Sequence, residues 1–77
     1  MKYKVVNFVK YIGSNEPQEG VLLECMKTKK RWITLGRYWS KAIPGIIEDY
    51  EIVDSIDLDK FMKKFNKFNV HNSELIF

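Results

Sequence analysis

From Tyr3 to Ile12 the chain runs Tyr-Lys-Val-Val-Asn-Phe-Val-Lys-Tyr-Ile, with no Gly or Pro inside it. In an extended strand Tyr3, Val5, Val9 and Tyr11 share one face with Asn7, while Val6, Phe8 and Ile12 share the other with Lys4 and Lys10. Apolar residues on both faces predict a strand that is covered on both sides or curls around a small barrel. Fully extended it would span about 33 Å, so a bend or bulge is expected near Asn7. Gly13 to Gly20 carries Gly, Ser, Asn and Pro and reads as an exposed loop. Val21 to Met26 and Trp32 to Leu35 then form a hairpin. The turn, Lys27-Thr28-Lys29-Lys30, lacks an Asn-Gly or Gly-Gly pair, which favours a four-residue loop over a two-residue one. Gly36 ends the second strand or forms a bulge.

Periodicity weakens from Arg37 to Ile47. Tyr38 to Ile43 fits one helical turn, stopped by Pro44-Gly45. Ile46, Ile47, Tyr50, Ile52 and Val53 then read as a strand running to about Ser55. The helical period is plainest afterwards: Leu58, Phe61, Met62, Phe65 and Phe68 recur at i, i+3, i+4, i+7 and i+10 and line one face. Ser55 or Asp57 caps this helix, with Asp57 and Asp59 at its positive end and Lys63, Lys64 and Lys67 at its negative end. Asn66 or Asn69 closes it. The tail from Val70 to Phe77 ends in Leu75-Ile76-Phe77, enough for a short edge strand. The predicted fold is α+β: a small, curved, barrel-like antiparallel sheet of four to five strands with one C-terminal amphipathic helix. Its strand order and lengths resemble small SH3- or OB-type barrels in architecture alone.

With 77 residues the chain has room for one small domain, 1–77. Such domains lie close to the size below which disulfides or metals are usually needed. Here 14% of residues are aromatic and cysteine occurs once, so the core is expected to rest on large rings. Cys25 alone excludes an internal disulfide and a cysteine-based zinc site. An unpaired thiol without a signal-peptide pattern predicts a reducing, cytoplasmic setting. No apolar run approaches the ~20 residues of a membrane span.

The net charge of +3 is modest, but its ordering is not. Lys27, Lys29, Lys30, Arg31, Arg37 and Lys41 form a basic block. Glu48, Asp49, Glu51, Asp54, Asp57 and Asp59 form an acidic block of equal size. Such blocks produce a bipolar surface, unless the acidic strand lies beside the basic one and neutralises it.

Catalytic candidates are few. Cys25, in mid-strand, reads as a buried thiol, and His71 as a solvated surface residue. Asp54, Asp57 and Asp59 lack the Gly and distal Glu of an EF-hand loop, and helix capping accounts for two of them. No glycine-rich phosphate loop is present. The expectation is a binding module with no enzymatic activity, cofactor or metal.

The first candidate ligand is nucleic acid, DNA or RNA. Lys27, Lys29, Lys30, Arg31, Arg37 and Lys41 supply cations for phosphates, and Tyr38 or Trp39 a plane on which bases stack. Trp32 is expected in the core. The alternative is a protein partner gripped by Arg37, Tyr38, Trp39, Ile43, Pro44 and Ile46, since Trp, Tyr and Arg are the usual interface anchors. A short chain of this kind suits a phage-encoded inhibitor or adaptor acting on a host or defence protein. An open strand edge also offers a route to homodimerisation. The phenylalanine face of the helix is read as core rather than as a membrane-surface stripe.

Overall fold

β1 (Lys2–Tyr11) is the strand from which the sheet grows, pairing on one side with β2 (Gln18–Cys25) along nearly its whole length. The register shifts between Val5 and Asn7, so the expected bulge is present, with Val6 as its extra residue. Beyond β2 follow β3 (Arg31–Thr34) and β4 (Trp39–Lys41). Past a short helix α1 (Pro44–Ile47), β5 (Tyr50–Val53) returns to the other side of β1, giving a curled antiparallel half-barrel in the order β4-β3-β2-β1-β5. Helix α2 (Leu58–Phe68) follows, and β6 (Glu74–Ile76) pairs in parallel with Lys2–Lys4 of β1. The computed structural model describes residues 1–69 and 71–77; Val70, the head of the expected tail, lies outside them. The radius of gyration is 11.6 Å, the size expected of about 77 packed residues.

The run Val21-Leu22-Leu23 shows why β2 lies inside the sheet. Val21 and Leu23 face α2 and cluster with Phe61 and Phe65. Leu22 faces the opposite way, into a second cluster with Val9 and Ile33 that Val6, Ala42 and Tyr50 complete. A strand covered on both faces needs consecutive apolar residues rather than alternation. Gly20, one residue earlier, is required by packing: a Cβ there would collide with the Thr34 carbonyl and the Leu35 side chain.

Several boundaries differ from those the sequence predicts. The loop is shorter, because Gln18 to Gly20 already belong to β2, and the hairpin strands are Gln18–Cys25 and Arg31–Thr34. Trp39 to Lys41 form β4 instead of a helical turn, and Pro44 begins a helix instead of stopping one. Proline is favoured in the first turn, where its missing N–H has no carbonyl to meet. Ile46 and Ile47 therefore lie in α1, and β5 starts at Tyr50. Asp57, not Ser55, caps α2 by accepting from the Lys60 N–H at 3.2 Å, and Asn69, not Asn66, is its C-cap. Of the five helix residues expected in the core, Phe61 and Phe65 are buried, Met62 packs partly, and Leu58 is exposed.

Burial pushes the Tyr50 phenol above its ordinary value, with Tyr11 adding to the rise and Ser40 opposing it by a hydrogen bond. Tyr3 is raised by burial and by Cys25. A phenol that holds its proton more tightly when folded contributes stability below its unfolded pKa and loses it as pH climbs through the folded one. Stability is therefore expected to fall above pH 10, the ordinary phenol value. Urea denaturation between pH 9 and 12, on the order of the phenol range, checks this. Tyr50→Phe should make the fall shallower, and an unchanged pH profile in that variant would exclude Tyr50 as a cause.

Candidate functional site: a basic turn and an aromatic cleft

The β2–β3 turn is built by backbone bonds. The Lys29 N–H donates to the Cys25 carbonyl at 2.8 Å, and the Cys25 N–H donates to the Lys30 carbonyl at 2.8 Å. Lys29 takes the left-handed conformation, φ 65°, in which side chains other than Gly, Asn and Asp are uncommon. Lys27, Lys29 and Lys30 are all exposed. Arg31 lies opposite Glu24 in the β2–β3 register, and its Nε donates to the Glu24 carboxylate at 3.3 Å, the one salt bridge among the described residues. Lys41 is exposed on β4, opposite Trp32. Beneath the turn Cys25 is buried. Hydrogen bonds from the Thr28 hydroxyl, then from the backbone of Thr28 and Lys27, draw its thiol below its ordinary value against the effect of burial.

The acidic block does not neutralise this turn by strand pairing. β5 pairs with β1, where Glu51 meets Lys10, and not with β3, although the curl of the sheet brings Tyr50 of β5 to Ser40 of β4. The physical reason is the α1 crossover, which carries the chain from the β4 edge to the opposite edge of the sheet.

Arg37 and Tyr38 are not at this turn. They occupy the β3–β4 turn at the other end of β3, about 13 Å away by strand length. Buried Thr34 builds that second turn: its hydroxyl donates to the Tyr38 carbonyl at 2.9 Å and accepts from the Gly36 N–H at 3.1 Å. Gly36 has φ 102° and packs on Lys64 of α2, so the turn is docked on the helix and requires glycine. The Arg37 guanidinium lies over the Tyr38 ring at 5.3 Å and the Phe68 ring at 5.1 Å. Among the described residues it has no carboxylate within salt-bridge distance.

Neither tryptophan is fully buried: Trp32, expected in the core, is half-buried, and Trp39 is half-buried as well but packs against the core cluster, 5.0 Å from Tyr3 and 6.2 Å from Phe65 between ring centroids. Trp39 is thus no free-standing stacking plane. One of its sides still lines a cleft of about 470 Å³, together with Tyr3, Arg37 and Phe68. Asn69 and Ser73 form the far wall, joined by paired bonds of 2.8 and 2.9 Å between the Asn69 amide and the Ser73 backbone. His71 and Met1 complete the lining. Met1 touches the base of the basic turn, where the Cys25 thiol donates to its sulfur at 3.5 Å. The cleft therefore lies between the two cationic turns.

Tyr3, Phe68, Asn69 and His71 belong to this site but are not legible as site residues in sequence. Tyr3 reads as a strand residue and Phe68 as helix core, and they meet Arg37 only after α2 docks. Of the residues expected to grip a protein partner, Ile43 and Pro44 are exposed at the start of α1 and Ile46 is half-buried. β4 lies between them and Arg37 and Tyr38, and Trp39 packs partly against the core cluster. Among the described residues no His, Cys, Asp or Glu side chains gather in metal-binding groups, and no helix is long and apolar enough to cross a membrane. No family model matches the chain, and neither a curated protein nor a solved structure is similar to it.

Proposed function

We propose that this chain is a non-enzymatic module that binds nucleic acid, holding the phosphate backbone with the lysines of the β2–β3 turn. The observation that carries this reading is the position of β5. With β5 paired to β1, among the described residues Lys27, Lys29, Lys30 and Lys41 form no salt bridge, and of the basic block Arg31 is the one engaged, by Glu24. The left-handed Lys29 supports it, since backbone strain of this kind concentrates at functional turns.

Phosphates bound by lysine and arginine release counterions, so affinity falls with salt. Five contacts, from Lys27, Lys29, Lys30, Arg37 and Lys41, give an expected slope of log K against log salt of about −3 to −4 for a single strand. A salt titration with mixed single- and double-stranded oligonucleotides tests this. Absence of binding even at low salt refutes the reading.

A protein partner is the second reading, favoured by Ile43 and Ile47, 49% and 42% exposed beside Pro44. An inhibitor or adaptor acting through this surface would lose its partner on Ile43→Asp and respond little to salt.

A further inference from the structure

The aromatic cleft contributes something that lysines on a turn do not. Tyr3, Trp39 and Phe68 give it ring walls, and Arg37 adds a guanidinium plane held over Phe68. Among the described residues no carboxylate lines it, and Arg37 is the cation in its lining; Lys67, 5.5 Å from the Phe68 ring centre, lines the neighbouring depression with Lys63 and Lys64. Its volume lies within the range of small-ligand sites. Rings and a guanidinium plane facing one space suit a flat, uncharged ring that carries a phosphate. Aliphatic side chains of a protein segment would gain nothing from the guanidinium, and an acidic segment would leave the rings unused.

We infer that this cleft takes one unpaired nucleobase of a single strand, stacked among Tyr3, Trp39, Phe68 and the Arg37 plane, while its backbone runs from Arg37 towards the lysines of the β2–β3 turn. The inference rests on the nucleic-acid reading and adds to it a substrate class: single-stranded rather than duplex. In a duplex the bases are stacked and paired, and none reaches a cleft set between two turns. Exposed bases stack on aromatic and guanidinium planes with little sequence preference. The Asn69 amide is oriented by its two bonds to the Ser73 backbone.

The test compares two oligonucleotides with the same number of phosphates, one bearing thymine and one abasic. Stacking of a single base is worth about 1–3 kcal/mol, so the base-bearing strand should bind roughly 5- to 150-fold more tightly. Phe68→Leu, which keeps apolar volume but removes the ring, and Arg37→Lys, which keeps charge but removes the plane, should each draw that ratio towards one. The salt slope should hardly move in either. In a Trp32→Phe background Trp39 is the remaining indole, and its emission should change with the base-bearing strand and not with the abasic one. Equal, salt-dependent binding of both strands overturns the cleft assignment and leaves the turn in place. Base-dependent binding without salt dependence supports the cleft and overturns the turn. Binding of neither strand overturns both.

Discussion

Phe65→Ala is expected to remove a large share of the stability of this protein. Phe65 is buried on α2, lies 5.9 Å from Phe61 and 6.2 Å from Trp39 between ring centres, and closes the cluster around Val21 and Leu23. Phenylalanine-to-alanine changes in cores cost about 3–5 kcal/mol, the lost transfer energy plus the cavity left behind. A chain of this length has a total stability on the order of 4–12 kcal/mol. The urea midpoint should therefore drop steeply. Leu58→Ala is the matched control. Leu58 shares the helical period of Phe65 but is 37% exposed, so its removal should cost below about 1 kcal/mol. Similar losses at the two positions would mean that α2 docks differently from the arrangement described.

The second large effect concerns binding. Changing Lys27, Lys29 and Lys30 together to alanine should leave the fold intact, because all three side chains are exposed and the turn is held by backbone bonds of Cys25, Lys29 and Lys30. Arg31 is left in place, since removing it would release Glu24 and add negative charge to the site. Three lost phosphate contacts should flatten the single-strand salt slope by about 2 and lower affinity on the order of 10- to 100-fold at moderate salt. An unchanged slope would show that phosphates do not meet this turn.

Some of this was readable residue by residue. The Phe61 and Phe65 spacing, the cap candidates Ser55 and Asp57 and the lysines at the far end define α2 without reference to the rest of the chain, because helix period and capping act within a few residues. The bulge in β1 follows from its length, and the cationic character of the β2–β3 turn follows from consecutive lysines. Segments whose conformation depends on a distant partner were not readable. Trp39 to Lys41 are strand because β3 offers them an edge, and Pro44 is compatible with either stopping a helix or starting one.

Residue type and spacing are enough to specify the amphipathic helix, the first strand with apolar residues on both faces, the basic turn and the opposed charge blocks. Each is a local property of residue type and spacing. Tertiary contacts set the acidic strand against β1, pack Trp39 on the core cluster, and bring Arg37 to Phe68 beside Tyr3. These depend on the α1 crossover and on how α2 docks, and so on contacts between residues tens of positions apart. Local propensity carries no information about such pairings, and burial of the whole apolar surface selects them.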